Sequence, residues 1–367
     1  MKRAELYRAA QTAVNDVMGV QPGEHVLIVT DTLMPTSISE ALLAAAGASG
    51  AEATAVIMSS RQSVEPQPDG KEQPTREPLA AVAAAMERSD VIFSLAQPVL
   101  NNTRAELVAL DAGARVLRML LWDFYEHPTR TSLVGAAEVE ASFIRSNSVD
   151  IPAMGELTRR LCRTIATSRS ARMFSEAGTD LRIELDDLTH TLDTVDHCRP
   201  GANPIQCLDG QAREPGTWDE AAGGITAAVC ANAEGVIVVD HSIWPIGLVH
   251  EPIVLHVEER RVVRIEGGAE ARRLEAYLAS FDDPNVYHCP AEWGLGTHGC
   301  CIDSGNFLEH EKMLGNFHAA LGDDIRFGGT NYAPVHLDAV FVRGSLELDG
   351  ELVARDGQLL ISTEEQA

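Results

Sequence analysis

The first third of the chain alternates short apolar runs with amphipathic segments, and this alternation restricts the fold more than any other feature of the sequence. His25–Thr30 is an almost continuous apolar run, as expected for a strand of a parallel sheet that is covered on both faces. Thr36 and Ser37 can cap a helix that continues to about Ala48, and Glu52–Met58 predicts a second strand. Together these segments predict a βαβ unit.

The same alternation continues beyond this unit. Helices are predicted over Leu79–Glu87 and Thr103–Ala112, and strands over Asp90–Leu95 and Arg115–Leu121. Residues 1–150 are therefore expected to form an open, mainly parallel α/β domain. No GxGxxG or GxxxxGK[ST] motif follows any of these strands, so nothing in this region indicates a nucleotide site.

The second half of the chain has a different pattern of apolar and polar residues. Residues 151–170 predict an amphipathic helix that bridges two domains. Short runs of alternating polar and apolar residues follow, and they predict the strands of a largely antiparallel sheet. These runs are Asp180–Leu185, Gly235–Val239, Ile253–Val257, Val262–Ile265, Val335–Val342 and Leu346–Leu348. Residues 171–367 are therefore expected to form a mixed α+β domain.

Composition excludes several classes of partner. The 367 residues carry 29 Lys and Arg against 54 Asp and Glu, a net charge of −25 that repels nucleic acid and anionic membranes. No apolar run approaches the roughly 18 residues of a membrane span, and Met1–Tyr7 does not open a secretory signal, so a cytoplasmic location is expected. A small-molecule substrate is the expected partner.

The segment Val335–Phe341 is the most informative for chemistry. Side chains alternate across a strand with period 2, so His336 and Asp338 project from one face while Leu337 and Ala339 project from the other. An imidazole and a carboxylate on one face of an apolar strand favour a bound cation. A hydrogen-bonded pair in the core is the alternative.

Two further residues of this half are candidate metal ligands. His318 stands between apolar neighbours just ahead of small residues, and Glu292 lies beside Trp293 in an apolar, glycine-bearing run. Acidic residues are rarely buried without a partner. Glu292, His318, His336 and Asp338 together supply the imidazoles and carboxylates that suit Zn(II), Fe(II) or Mn(II), which makes 171–367 the expected metal-binding catalytic domain.

Other histidines are weaker candidates. His241 directly follows an apolar strand, which indicates a polar strand end more than a ligand. His298, Cys300 and Cys301 stand in a glycine-bearing loop, which favours a solvated loop over a pocket. The seven cysteines include no CxxC pair, so a zinc ribbon is not indicated.

Five short motifs mark the C-terminal part of the chain. They are Gly296–Thr297, Glu311–Gly315, His318–Asp323, Phe327–Asn331 and His336–Asp338. Together they resemble the signature of the aminopeptidase T (M29-type) metallopeptidases. In that family two metals share ligands from two glutamates, two histidines, an aspartate and a tyrosine. The resemblance implies that Glu292, His318, His336 and Asp338 occupy four of these positions.

Two ligand positions of the metallopeptidases are not matched. The place of the other glutamate falls at Gly223 or Gly224, and that of the tyrosine falls near Ile325. A second dication needs these oxygen ligands, so a single divalent metal is expected.

A second branch of the same fold family is also similar. Glu214–Asp219, Phe281–Tyr287 and Trp293–Leu295 resemble the 2,5-dihydroxypyridine 5,6-dioxygenases, which are mononuclear non-haem iron enzymes. The resemblance implies that His336 and Asp338 match two of the three iron ligands. Pro290 stands at the place of the third, with His288 two residues before it and Glu292 two after it, whereas His318 has no counterpart in that branch.

Two enzyme classes therefore stay open, and both use the same residues. A ring-cleaving dioxygenase would bind Fe(II), the favoured metal, through His318, His336 and Asp338 with Glu292 as a fourth group, and act on a hydroxylated (hetero)aromatic such as a dihydroxypyridine. A metal-dependent hydrolase, aminopeptidase-like or amidase-like, would use Zn(II), Mn(II) or Co(II) and a metal-bound water, with Glu292 or Glu311 as base. A non-catalytic binding protein is the third alternative.

The remaining expectations concern the pocket and the assembly. His288 is a candidate catalytic residue of the pocket. The residues expected to contact the substrate are Trp218, Trp293, Asn331 and Tyr332. Aromatic side chains among them would stack on an aromatic ring. The family resemblance implies a homodimer.

Overall fold

The computed structural model describes most of the chain. The described residues are 2–59, 63–66, 72–75, 77–96, 100, 103–119, 135–185, 206–207, 210–213, 224–227, 230–304, 307–324 and 329–360. The chain divides into two compact units, the first formed by Met1–Gly155 with Thr194–Ala222 and the second by Glu156–Asp193 with Gly223–Ala367. The division into 1–150, 151–170 and 171–367 stays a prediction.

The helices belong to both units. They are α1 (Lys2–Gln11), α2 (Thr36–Ala48), α3 (Ala80–Met86), α4 (Arg104–Asp111), α5 (Ala136–Ser146), α6 (Ile151–Thr167), α7 (Ala269–Ala279) and α8 (Phe307–His310). A π-helical segment, Thr12–Val17, continues α1, and Pro284–Tyr287 forms a 3₁₀ turn.

The strands are mostly short. Those before residue 186 are β1 (His25–Asp31), β2 (Glu52–Met58), β3 (Ser63–Pro66), β4 (Glu72–Thr75), β5 (Val91–Ser94), β6 (Arg115–Met119), β7 (Ser170–Phe174) and β8 (Asp180–Leu185). The later ones are β9 (Gln206–Cys207), β10 (Gly210–Arg213), β11 (Gly224–Ala227), β12 (Cys230–Val239), β13 (Ser242–Ile243), β14 (Gly247–Leu248), β15 (Ile253–Glu258), β16 (Arg261–Glu266), β17 (Trp293–Gly296), β18 (Phe317–Gly322), β19 (His336–Phe341), β20 (Ser345–Leu348), β21 (Glu351–Arg355) and β22 (Gln358–Leu359).

A mainly parallel sheet organises the first unit. Its order is β2-β1-β5-β6-β10-β9; the first four strands run parallel, and β10 is antiparallel to both of its neighbours. Val26 and Ile28 pack in one apolar cluster with α1, α2 and α5, whereas Leu27 and Val29 pack in another with α3 and α4. Helices therefore cover both faces, which explains why these strands are almost continuously apolar.

Two antiparallel sheets organise the second unit. One has the order β16-β15-β12-β8-β7-β20-β21-β22, and the other has the order β11-β17-β18-β19-β13-β14. One apolar core contains side chains of both sheets, among them Ile237 and Leu255 from the first and Phe317 and Leu337 from the second. The predicted fold class is confirmed.

The strands β17, β18 and β19 present one face to this core and the other away from it. Phe317, Ala319 and Leu321 of β18 belong to the core, and so do Leu337 and its alternate neighbours on β19. Because side chains alternate along a strand, the even-numbered residues of β18 and β19 project from the opposite face. The polar residues of the predicted site lie on that opposite face.

Candidate metal centre

Cross-strand register places the two carboxylates of the candidate site in one row. Glu292 immediately precedes β17, and its carbonyl accepts a hydrogen bond of 2.8 Å from the N–H of Ala320. Ala320 is in turn the register partner of Asp338. The small side chain of Ala320 therefore stands between the strand positions of Glu292 and Asp338.

The imidazoles flank this row. His336 pairs with Gly322 at one side of the row, and His318 pairs with Val340 at the other. Gly322 has φ +103°, and a Cβ there would come within 2.1 Å of the carbonyl oxygen of Val335, so only glycine fits opposite His336. The structure thus brings together Glu292, His318, His336 and Asp338, which are separated by up to 46 residues in the sequence.

Three of these residues form a compact triad: Glu292, His336 and Asp338. One ligand atom from each lies within 4.8 Å of the others. His336 Nε2 is 3.3 Å from Glu292 Oε2 and 3.6 Å from Asp338 Oδ1. Ligands that share one cation through bonds of about 2.1 Å stand about 3.0–3.4 Å apart, so these separations fit a bound divalent metal.

The unpaired atoms of the site also fit a cation. Asp338 Oδ1 and His318 Nδ1 are buried and have no hydrogen-bond partner among the residues that the structure describes. A buried carboxylate oxygen is costly without a compensating partner, and a metal ion supplies one.

The backbone fixes which nitrogen His336 offers to the triad. His336 Nδ1 lies 2.7 Å from the carbonyl oxygen of Asp323, which can only accept a hydrogen bond. The proton of neutral His336 is therefore on Nδ1, and the lone pair of Nε2 points toward Glu292 and Asp338. Metal-binding histidines are commonly oriented in this way by a carbonyl group.

His318 contacts the triad through Glu292. Its Nε2 is 3.0 Å from Glu292 Oε1, so the glutamate lies between the two imidazoles. Both His318 and Glu292 are buried, at 1% and 5% exposure. His318 is therefore placed to act as a fourth group or to orient Glu292.

The electrostatics of the site favour ionised carboxylates beside imidazoles. Burial by itself raises the pKa of Glu292, but His336 and His318 outweigh it and hold this pKa well below its usual range. Burial and the charge of Glu292 raise the pKa of Asp338, but the nearby imidazoles of His336 and His318, when protonated, outweigh them and lower it. Burial lowers the pKa of His318, yet the adjacent Glu292 raises it overall. A bound dication would satisfy the same carboxylates in place of protons.

A buried ion pair adjoins the triad. Lys312 Nζ is 2.9 Å from Glu311 Oε1, and Glu311 is 6% exposed. Burial raises the pKa of Glu311 to about 7 against the lowering effect of Lys312, and the charge of Asp338 contributes. The segment approaches β17 closely, because a Cβ on Gly296 would come within 2.1 Å of the carbonyl oxygen of Met313. Lys312 was not among the predicted site residues, although it stands inside the Glu311–Gly315 motif.

His288 lies in a different polar group. Its Nε2 is 2.9 Å from Asp324 Oδ2 and 2.9 Å from the Arg260 guanidinium. Asp324 is 1% exposed and also accepts a hydrogen bond from the N–H of Asn331. Neither partner belongs to the triad, so the predicted catalytic role of His288 stays a prediction.

The predicted substrate-contacting residues lie in different surroundings. Trp293 is 1% exposed and packs in the apolar core. Asn331 donates hydrogen bonds from its side chain to the carbonyls of Asn285 and Gly322, which ties its loop to the end of β18. Tyr332 is 66% exposed. Trp218 lies outside the described residues. Gly223 and Ile325, which the resemblance assigns to the two unmatched ligand positions of the metallopeptidases, also lie outside them.

Most of the chain matches a known enzyme family. A family model described as NicX, 2,5-dihydroxypyridine 5,6-dioxygenase, matches residues 7–132 and 149–361. The chain belongs to this family of enzymes. A 2,5-dihydroxypyridine 5,6-dioxygenase of Pseudomonas putida KT2440 is 30% identical over 219 residues, which cover 54% of this chain and 57% of that relative. The alignment thus spans little more than half of the relative's length.

Solved structures share the fold. The 2,5-dihydroxypyridine dioxygenase of Pseudomonas putida KT2440 has a TM-score of 0.68 at 20% identity, and the comparison covers 98% of each chain. AmpT of Thermus thermophilus has a TM-score of 0.63 at 14% identity, with 98% of this chain and 100% of that chain covered. The predicted resemblance to both branches is confirmed. In the part of the chain that the structure describes, none of the helices combines the length and apolar character needed to cross a bilayer.

Proposed function

We propose that this protein is a ring-cleaving dioxygenase that binds one Fe(II) and acts on a dihydroxypyridine or a closely related hydroxylated heteroarene. The observation that carries the proposal is the triad of Glu292, which is buried, with the half-buried His336 and Asp338; one ligand atom from each lies within 4.8 Å of the others in a chain of the NicX family. Family membership favours oxygenation, and the triad supplies a site for the metal that oxygenation requires.

The triad residues would hold the metal. His336 would bind through Nε2, because the carbonyl of Asp323 engages Nδ1. Asp338 would bind through Oδ1, the buried oxygen that is otherwise unsatisfied among the described residues. Glu292 would be a third ligand or, held by His318, would orient the other two. Fe(II), when bound, supplies the redox chemistry that O₂ needs to react with a closed-shell aromatic ring.

The surrounding residues would prepare the site for the substrate. The even-numbered face of β18 presents Ala320 and Gly322 beside the triad, and these small residues leave room for a planar ring. The half-buried Lys312 ammonium lies beside Glu311 and would attract the deprotonated hydroxyl of a bound substrate. The reaction adds both atoms of one O₂ to one ring, so one O₂ is consumed for each ring that opens.

Solvent exposure distinguishes which of the predicted substrate-contacting residues can reach a bound ring. Tyr332 has a largely exposed ring and is retained with Trp218 as a stacking candidate. Asn331 is proposed to act by holding its loop on β18. Trp293 is buried in the core, and the proposal does not use it as a contact.

A metal-dependent hydrolase is the second candidate. The contact of 3.0 Å between Glu292 and His318 favours it, because both residues match the metallopeptidase positions. In this case the metal would be Zn(II), Mn(II) or Co(II), and Glu292 or Glu311 would act as base toward water.

The experiment uses protein purified without oxygen and loaded either with Fe(II) or with Zn(II) or Co(II). Oxygen uptake and loss of ring absorbance are measured with 2,5-dihydroxypyridine, and amide cleavage is measured with dipeptide amides. We expect one O₂ consumed per ring, only with Fe(II), and loss of this uptake in Asp338→Asn. The matched control is Asp282→Asn, an exposed aspartate at φ +50° whose backbone conformation asparagine also adopts. Amide cleavage supported by Zn(II) or Co(II), without oxygen uptake, would overturn the proposal in favour of the hydrolase.

We also propose a cytoplasmic homodimer. The net charge of −25 supports solubility, and the family resemblance supports the dimer. Light scattering during size-exclusion chromatography tests the dimer, which predicts twice the chain mass of 39.5 kDa.

A further inference from the structure

A second group of metal-ligating side chains lies in the same unit as the triad but shares no residue with it. We name it the His–Asp–His cluster, and it consists of His241, Asp303 and His310. One ligand atom from each lies within 4.8 Å of the others. The three residues come from separate segments: His241 lies between β12 and β13, Asp303 follows β17, and His310 is the last residue of α8.

Both imidazoles point the same nitrogen at the same carboxylate. His310 Nε2 is 3.2 Å from Asp303 Oδ1, and His241 Nε2 is 3.7 Å from Asp303 Oδ2. The two rings are adjacent, with centroids 4.2 Å apart and planes inclined by 66°. Neighbouring ligands of a tetrahedral Zn(II) ion with bonds of about 2.0–2.1 Å stand about 3.3 Å apart, so small shifts would close this arrangement around an ion.

One serine holds the far sides of both rings. Ser242 Oγ lies 3.3 Å from His241 Nδ1 and 3.3 Å from His310 Nδ1. A hydroxyl oxygen has two acceptor lone pairs, so Ser242 can accept a hydrogen bond from each Nδ1–H. Both Nε2 lone pairs are then directed toward Asp303. Histidines that bind metals are oriented by such a hydrogen bond to the opposite nitrogen.

The surroundings favour the metal-binding form of each residue. Burial lowers the pKa of His310 to about 4, and the neighbouring His241 lowers it further against the opposing effect of Asp303. Burial also lowers the pKa of His241. Both shifts favour the neutral form of the rings, which is the form that binds a metal. Glu309 accepts hydrogen bonds from the N–H of Ile302 and the hydroxyl of Ser304, which orders the segment that carries Asp303.

We propose that His241, Asp303 and His310 bind a second divalent ion, of the Zn(II) type, with one coordination position left for water. The side chain of Asp303 is 64% exposed whereas that of His310 is fully buried, so the ion would enter from the solvent side and be anchored from within. Bound there, it ties the strand end at His241 to the loop after β17 and to α8. Because His310 precedes Glu311, this ion also steadies the segment that carries the Glu311–Lys312 pair.

The test counts metal ions bound per chain. Metal-stripped full-length protein is dialysed against micromolar Zn(II) with a weak chelator, and zinc is measured by mass spectrometry. Wild type and the exposed control Asp282→Asn are expected to retain one Zn(II) more per chain than Asp303→Asn. Ser242→Ala is expected to lower the affinity of this cluster for Zn(II) by about 10–100-fold, because it removes the group that orients both rings.

The outcomes separate this site from the triad. Asp338→Asn should lose the metal ion of the triad and keep that of the His–Asp–His cluster. The double variant Asp303→Asn/Asp338→Asn should lose both ions, whatever reaction the triad catalyses. Equal zinc content in Asp303→Asn and wild type would overturn the second site. His310→Gln, checked for folding by circular dichroism, provides a second removal of the cluster and should match Asp303→Asn; a zinc content equal to wild type in this variant would also overturn it.

Discussion

Strands β1 and β5 of the first unit and β18 and β19 of the second are comparably buried, but their side chains differ in kind. Both faces of β1 and β5 are apolar and belong to two hydrophobic clusters. In the second unit, one face of β18 and β19 is equally apolar, and the other carries His318, His336 and Asp338. Apolar burial stabilises a fold, whereas buried ionisable groups are weak contributors to stability. On the proposed function the polar face serves metal binding, and substitutions in the two regions are therefore expected to have opposite consequences.

The largest effect is expected for Asp338→Asn. Removal of one ligand charge should lower kcat/KM for oxygen-dependent ring cleavage by about 10³-fold, equal to about 4 kcal/mol, and should lower iron content in parallel. The free energy of unfolding of the metal-free protein should change less in Asp338→Asn than in the core variant Ile28→Ala. A variant that keeps its iron and its activity would remove the distinction between the two faces.

The complementary change is Ile28→Ala in the fully buried part of β1. Loss of the buried methyl and methylene groups should lower the free energy of unfolding by about 2–5 kcal/mol, while iron per folded chain stays unchanged. Urea titration followed by circular dichroism measures the first quantity. Ile28→Val is the graded control, with an expected loss of about 0.5–1.5 kcal/mol. Loss of iron in folded Ile28→Ala would show that the two regions are not separable.

A third test concerns Asp324, a buried carboxylate of the second unit that pairs with His288 and Arg260. Burial raises its pKa, but the hydrogen bonds from His288 and the Asn331 N–H, together with Arg260, lower it overall. A depressed folded-state pKa contributes stability above the unfolded pKa, and this contribution is lost as the pH falls through the folded value. Asp324→Asn should therefore be less stable than wild type at pH 7 by about 1–3 kcal/mol, and the gap should narrow below about pH 4. A gap that stays constant from pH 7 to pH 3 would contradict the ion-pair role.

The smallest effect is expected for Ala320→Val, which fills the space between the positions of Glu292 and Asp338. Iron affinity should fall by about tenfold, which corresponds to about 1.4 kcal/mol. The matched control is Ala319→Val, which adds the same volume on the core face of the same strand. The control should be destabilised by about 1–3 kcal/mol through overpacking, without a change in iron affinity. Equal iron affinities in the two variants would show that the space beside Ala320 does not serve the metal.

The sequence predicts this difference between the two regions in part. Continuous apolar runs such as His25–Thr30 indicate strands covered on both faces, and the structure confirms the parallel sheet. The alternation in Val335–Phe341 places His336 and Asp338 on one face, which is a local property of a strand. The apolar, glycine-bearing surroundings of Glu292 and His318 add these two candidates, and the structure brings all four side chains together.

What the sequence does not predict depends on register and on the backbone. The carbonyl of Asp323 orients His336, yet a carbonyl carries no sequence signal. The pairing of Ala320 with Asp338 depends on the register between β18 and β19, which the local sequence does not fix. The sequence predicts a polar strand end at His241, and the structure places this residue beside His310, which lies 69 residues further along the chain. Such proximity requires the three-dimensional fold.

The most direct test of the central claim is an anomalous difference map at the iron edge from crystals loaded with Fe(II) without oxygen. We expect a strong peak within bonding distance, about 2.0–2.3 Å, of His336 Nε2 and Asp338 Oδ1 and next to the carboxylate of Glu292. Crystals with full iron content and no peak at these three residues would contradict it.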